Sequence, residues 1–249
     1  MLEIKKISKS FAQPDGSNIE AIADISLDVK RDDFVAIVGP SGCGKTTILK
    51  LIAGLERPTG GQLVFEDKKI ISASQERGIV FQHFSSFPWL SVSENIAFGL
   101  RLKNFSEQKV KTIVSHYLKI TDLEKFKNTF PANISGGMQQ RVAIARTLAN
   151  DPKILLMDEP FGSLDMQTRS RMQEFLATLW EQNHKTVVFV THDIEEAIFL
   201  ADKVILLTQR PAKIKKEYNI KFERPRLHEL KFSEEFFNLK RVILKDLEF

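Results

Sequence analysis

Hydrophobic positions along the chain change period several times, and each change predicts an element. Leu2, Ile4 and Ile7 alternate with charged neighbours, and a second alternating run, "IADISLDV", follows a Pro-Asp-Gly turn at 14–16. Both predict antiparallel strands at one edge of the fold. "DFVAIVG" (33–39) is continuously apolar and ends in glycine, as a strand covered on both faces requires. "TTILKLIAGL" (46–55) then has helical spacing and stops at Gly54 and Pro58. "RGIVFQ" (77–82) predicts another strand. Residues 91–128 are mostly helical by pattern, with Ile113, Val114, Leu118, Leu123 and Phe126 as the core stripe. A helix over 138–149, a strand within "KILLMDEP" (153–160), a helix over about 165–183, the strand "TVVFVTHD" and the helix "IEEAIFLA" complete a βαβ alternation. That order implies an α/β fold with a mostly parallel core sheet. After Gln209 the chain is first basic, then amphipathic, with Phe232, Phe236, Leu239, Val242, Ile243 and Leu247 at helical intervals.

Composition narrows the class. The 249 residues suffice for one large α/β domain or a core with a small insert. The 36 basic and 32 acidic side chains leave a net charge of +4, too small and dispersed to imply a nucleic-acid partner. Apolar runs such as 154–157 and 187–190 are far too short to span a bilayer. The first residues, "MLEIKKISKSF", hold no apolar signal core. Cys43 is the only cysteine, so no internal disulfide forms and a reducing, cytoplasmic setting is expected. His83, His116, His184 and His228 show no metal-ligand spacing and read as surface positions.

Three motifs carry chemistry. "GPSGCGKTT" (39–47) fits G-x-x-x-x-G-K-[ST] and lies between a buried strand and a helix. Gly39, Pro40, Ser41, Gly42, Cys43 and Gly44 form a loop whose N–H groups can wrap phosphate oxygens, with Thr47 on the helix behind it. Lys45 is placed to bridge β- and γ-phosphates, and Thr46 to offer its hydroxyl to Mg²⁺. Amides and Lys45 are expected to lower the Cys43 thiol pKa. "ILLMDE" (154–159) delivers Asp158 to hold the metal through its water shell and Glu159 to activate the attacking water as general base. The third motif, "ISGGMQQR" (134–141), is a second Gly-rich helix start and so a second anion site. The first loop already holds a nucleotide. Ser135, Gly136 and Gly137 therefore need another phosphate, and the γ-phosphate of ATP on a second copy of the chain supplies it.

With that arrangement the sequence resembles the ATP-binding subunits of ABC transporters. Nearly the whole chain takes part, in order: the phosphate loop, "VFQ" with Gln82, "ISGGMQQR", "LLMDEP", "GSLD" with Asp165, and "VTHD" with His192. The resemblance implies an ATPase using ATP and Mg²⁺, with an antiparallel β edge and a helical signature subdomain. By the same resemblance Gln82 touches Mg²⁺ and the water and couples the site to the membrane partner. Asp165 belongs to the loop linking two sites across a dimer, and His192 is the switch histidine on the γ-phosphate. Phe11 stands where the family places a ring, usually tyrosine, against adenine. Ile134 and Met138 replace the commoner leucine and glutamine of the signature.

Phe-Pro-Trp-Leu at 87–90, "SGGMQQR", "RGIVFQ" and "QRPAKI" look like the nitrate, sulfonate and taurine importers. The implied organisation is a single ABC ATPase domain over 1–249. Its nucleotide-binding core and β edge take 1–82 and 150–208, the helical subdomain 83–149, and a tail packing on the core 209–249. A homodimer or a pair with a paralogous ATPase is implied, peripheral on the cytoplasmic face of the inner membrane. Separate transmembrane permease subunits and an extracytoplasmic substrate-binding protein would serve it. Phe84, Phe87 and Trp89 suit a groove receiving the permease, or else pack on the helical subdomain. The basic run 210–226 reads as a solvated face, with lipid headgroups as the other reading. A cytosolic assembly complex that uses an ABC ATPase without a transporter is the alternative function.

Overall fold

The computed structural model describes residues 1–82 and 85–247. Strands β1 (Leu2–Ala12) and β2 (Asn18–Val29) pair antiparallel, as their alternation requires. β3 (Phe34–Val38) follows, then the phosphate loop and helix α1 (Lys45–Ala53), which ends at Gly54 in the left-handed conformation. β4 (Gly60–Phe65) and β5 (Lys68–Lys69) extend the first pair, giving the sheet order β2-β1-β4-β5. Next come β6 (Arg77–Val80), the helices α2 (Val92–Leu102), α3 (Glu107–Ile120) and α4 (Gly136–Ala149), and β7 (Ile154–Asp158). The remainder is α5 (Met166–Asn183), β8 (Thr186–Thr191), α6 (Ile194–Leu200), β9 (Lys203–Leu207), β10 (Ile214–Asn219) and α7 (Glu234–Leu247). The second sheet has the order β10-β9-β3-β8-β7-β6, parallel except for β10.

The pleat of the parallel strands sorts their apolar residues between two cores. Phe34, Ala36, Val38, Leu155, Met157, Val187 and Phe189 face α5, α6 and α7. Val35, Ile37, Ile154, Leu156, Val188 and Val190 face α1 and the antiparallel sheet. A third cluster joins α2 and α3 to one side of α4, through Val142, Ala145 and Ala149. The other side of α4, through Ala143, Ile144 and Leu148, packs into the first core. One helix thus ties the helical layer to the sheet. α2 starts in a capping box, Ser91 and Glu94 each satisfying the other's backbone N–H.

Two expectations change. Within the predicted stripe Val114, Leu118 and Leu123 are buried, but Phe126 lies in a 3₁₀ turn beyond α3 and is exposed. The turn breaks the helical period, so Phe126 leaves the apolar face. The basic run 210–226 is also only partly a solvated face. Lys213, Lys215 and Lys216 are exposed, but β10 closes the main sheet and buries Tyr218. Arg226 is buried and donates to the carbonyls of Ile198 (3.2 Å), Phe199 (3.1 Å) and Ala201 (2.8 Å), capping the C-terminus of α6. Burial lowers its pKa to about 10. Arg224 lies 4.0 Å over the Trp180 ring and donates to Leu200 and Asp202.

Arg226→Met keeps most of the volume and strands those carbonyls without a partner. It should cost about 2–4 kcal/mol on ordinary figures for charge-assisted hydrogen bonds and orphaned acceptors, read as a lowered urea midpoint with an unchanged m-value.

Candidate active site

The phosphate loop hangs between two buried elements. β3 delivers Gly39 against β9, where a Cβ would stand 3.1 Å from both Cys43 Sγ and Leu207 Cβ. Gly42 and Gly44 have φ of 73° and 120°, conformations that side chains resist. No side chain caps α1 at Gly44, so its first amides are left to point at the loop mouth. Lys45 is buried, and its Nζ donates to the carbonyls of Gly39 (2.9 Å) and Pro40 (3.0 Å). The result is a cleft of about 310 Å³, walled by loop residues, Thr46 and Thr47 on one side and by Phe11 on the other. Phe11 is half-buried in β1, with Lys9 Nζ 4.7 Å over its ring.

The acids arrive from β7. Asp158 is buried at the strand end and accepts a 3.0 Å hydrogen bond from the Thr46 hydroxyl. Burial raises its pKa, the Thr46 hydrogen bond opposes the rise and the charge of Glu159 adds to it. Glu159 turns the chain with φ 41°, its N–H donating to Val190 on β8 at 2.8 Å. That backbone throws its carboxylate into the cleft, 3.7 Å from Lys45 Nζ. His192, just past β8, has its Nδ1 2.9 Å from Glu159 Oε2. Gln82 lies past the end of β6; its amide nitrogen and Glu159 Oε2 are each 3.8 Å from where a Cβ on Gly162 would stand. Thr46 and Asp158 offer adjacent hard oxygen donors, one of them a carboxylate that is costly to bury uncompensated, a pair that fits Mg²⁺, with Gln82 on the Glu159 side.

The second Gly-rich turn lies elsewhere. Ser135 caps α4, its hydroxyl accepting from the Met138 N–H at 3.3 Å. Gly136 is half-buried, and Gly137 is buried so closely that a Cβ would stand 2.6 Å from Thr168. Asp165 caps α5 by accepting from the Thr168 N–H at 3.0 Å, which lowers its pKa. Arg169 holds the intervening loop through the carbonyls of Phe161 (3.3 Å) and Leu164 (3.0 Å). Ser135, Gly136, Gly137 and Asp165 do not line the cleft. The chain assembles phosphate loop, acids and histidine at one place and keeps the signature turn apart from them.

The ABC transporter family model matches residues 22–162. The chain belongs to the ABC transporter family. The aliphatic sulfonates import ATP-binding protein SsuB of Bacillus cereus is 42% identical over 248 residues, covering 100% of this chain and 96% of that protein. The nitrate import ATP-binding protein NrtD of Synechocystis is 43% identical over 242 residues, covering 95% and 91%. Among solved structures, a dimeric ATP-binding cassette in a post-hydrolysis state with ADP and Pi is 34% identical with a TM-score of 0.77, covering 90% of this chain and 100% of that one. The protein is an ATP-binding ABC ATPase. Among the described residues no helix is long and apolar enough to cross a membrane.

Several details of this ABC ATPase differ from the pattern of its sequence. Cys43 points beneath the loop, almost fully buried, and burial raises its thiol pKa despite Lys45 and the loop amides. The expected activated thiol is corrected: desolvation of the thiolate outweighs the nearby positive charge. Phe84 and His83 lie outside the described residues. Phe87 is half-buried, 4.5 Å from Phe98 and 5.5 Å from Trp89, with Arg146 5.0 Å over its ring. Trp89 is 69% exposed. His116 and His184 are exposed, whereas His228 is half-buried with Nε2 3.3 Å from Ser170 Oγ. Sequence reasoning missed Gln13, Ile19 and Arg210 on the cleft wall. Only Arg210 had a signal, as the first residue of the basic run.

Iodoacetamide at pH 8 should therefore label Cys43 at least about ten-fold more slowly in the folded protein than in urea, with or without nucleotide. The rate should climb only at pH above the free-thiol range, because a raised pKa delays the thiolate. Fast labelling of the nucleotide-free folded protein would contradict the buried thiol.

Proposed function

We propose that this chain is the ATP-hydrolysing subunit of an importer for a small anion of the nitrate, sulfonate or taurine class. The observation that carries the catalytic part is the convergence of Lys45, Glu159 and His192 at the mouth of the phosphate loop. Loop amides and the α1 N-terminus bind the β- and γ-phosphates, and the Lys45 ammonium neutralises them. Phe11 supplies a face for adenine. Thr46, Asp158 and Gln82 would hold Mg²⁺, which when bound offsets the phosphate charge. Glu159 takes the proton of the attacking water as its oxygen bonds to the γ-phosphorus. The bond to the β-phosphate oxygen breaks, and its electron pair leaves with ADP. His192 orients the Glu159 carboxylate and sits beside the γ-phosphate.

The separation of Ser135, Gly136 and Gly137 from the cleft supports a head-to-tail pair, in which each turn covers the other chain's ATP and Asp165 adjoins both sites. The dimeric cassette among the similar structures supports the same arrangement. Import is supported by what the relatives' names say of those proteins. Permease subunits, a substrate-binding protein and a peripheral place on the cytoplasmic face follow from that reading. Trp89, exposed beside Phe87 and α2, suits the permease contact.

Glu159→Gln should slow hydrolysis by about 10²–10⁴-fold on general-base figures and sediment as a dimer with Mg-ATP and a monomer without it. Adding Gly136→Asp sets a carboxylate against the partner's triphosphate and should abolish the dimer while each chain still binds ATP. A double mutant that dimerises on ATP would falsify the composite site.

Trp89→Ala should weaken co-purification of a polytopic membrane partner, since an anchor of this kind contributes about 2 kcal/mol or more, and should leave the isolated chain's ATPase in place. If the parent protein brings down soluble assembly factors and no membrane protein, the cytosolic alternative replaces the importer.

A further inference from the structure

The turn joining β9 to β10 reaches the phosphate loop, although it belongs to neither nucleotide motif. Thr208 braces this turn, donating to the Pro211 carbonyl (3.2 Å) and accepting from the Lys213 N–H (3.0 Å). Ala212 then fixes it to β2: its N–H donates to Ala21 (2.9 Å), and its carbonyl accepts from Ala23 (3.0 Å). From this anchored position Arg210 Nη2 donates to the Gly42 carbonyl at 2.9 Å. On the other side of the same peptide, the Cys43 N–H donates to Pro40 at 3.3 Å.

We propose that Arg210 is a positioning residue for ATP, clamping the Gly42–Cys43 peptide so that the loop presents donors to phosphate. This rests on the reading of residues 39–47 as the ATP site. Gly42, at φ 73°, has little of the steric resistance that other residues offer to rotation of an adjoining peptide. Half a turn of that peptide would set its C=O against the Pro40 carbonyl and its N–H against the Arg210 guanidinium, losing both bonds and with them the loop shape that directs the remaining amides outward. Cations hold three carbonyls of the loop: Lys45 takes Gly39 and Pro40, and Arg210 takes Gly42. With its carbonyls so engaged, the loop is preorganised before nucleotide arrives, and preorganisation appears as affinity.

The test measures ATP and ADP binding to the full chain by calorimetry with Mg²⁺ for the parent, Arg210→Ala, Arg210→Lys and Lys45→Ala. Arg210→Ala should weaken ATP and ADP by the same factor, about 5- to 20-fold on the scale of a charge-assisted hydrogen bond. KM for ATP should rise by that factor while kcat falls less than about two-fold. Because the acceptor is a neutral carbonyl, the factor should be the same in low and high salt, about 0.05 and 0.5 M. Arg210→Lys keeps a donor within reach and should recover most of the loss. Two results overturn the clamp: Arg210→Ala binding like the parent, or a loss confined to ATP that shrinks in high salt, which marks a direct ion contact with the γ-phosphate. Lys45→Ala separates the two readings. If it binds ATP as the parent does, the ATP site itself is misassigned; if it is weakened while Arg210→Ala is not, only the clamp fails. Should Arg210→Ala fold poorly, Arg210→Gln decides, since it removes the charge and keeps an N–H donor: a clamp predicts ATP and ADP weakened by one common factor at both salt concentrations, and a loss confined to ATP that shrinks in high salt overturns it.

Discussion

Everything at the site depends on β3 being covered on both faces. Its five residues, Phe34 to Val38, are all buried, between β8 and β9 and between two apolar cores. A strand held in that way cannot shift register without moving apolar side chains out of both cores. It therefore fixes where Gly39 emerges and where α1 must begin. The loop between them is irregular and rich in glycine, yet its ends are pinned by the best-packed part of the molecule. That combination lets a backbone with little steric restraint of its own keep a defined set of amide directions.

The same central sheet aligns the acids. β7 and β8 lie side by side in parallel register, so Asp158 and Glu159 leave one strand end beside His192 on the next. Glu159 takes a left-handed backbone, a conformation that costs about 1–3 kcal/mol for a residue with a Cβ. The hydrogen bond from its N–H to Val190 holds it there. Next to it, burial disfavours the charged form of Asp158, and the Thr46 hydroxyl and the more distant Lys50 and Lys45 relieve this in part. Backbone strain and unfavourable burial thus meet in this adjacent pair of carboxylates, in a fold whose other burials are mainly apolar.

Helix α4 links this site to the rest of the molecule. Its residues divide between the helical cluster and the main core, so the signature turn at its start cannot move without disturbing both. Arg169 and the Asp165 cap place the neighbouring loop against the same turn. The tail adds a second linkage: β10 extends the main sheet, Arg226 caps α6, and Arg210 returns to the phosphate loop. Phe11, Glu159 and Arg210, far apart in the chain, thus meet on the walls of one cleft at the phosphate loop.

The strands and helices of the core were legible in sequence because their signals are local: a continuous apolar run in β3, β7 and β8, helical spacing in α1 and α5, and a glycine-rich loop between two such elements. The placement of Lys45, Thr46, Asp158 and Glu159 around one cleft was legible for the same reason, since each sits at a fixed offset from a strand end. Tertiary structure alone decided features set by what lies across space. The Cys43 thiol is buried or exposed according to the packing of β9 beneath the loop, which no local pattern reports. Arg210 and Arg226 sit in one basic run, yet one meets a loop carbonyl and the other a helix end. Charge spacing could not distinguish them, because an arginine's environment is determined by the chain that folds over it rather than by its neighbours in sequence.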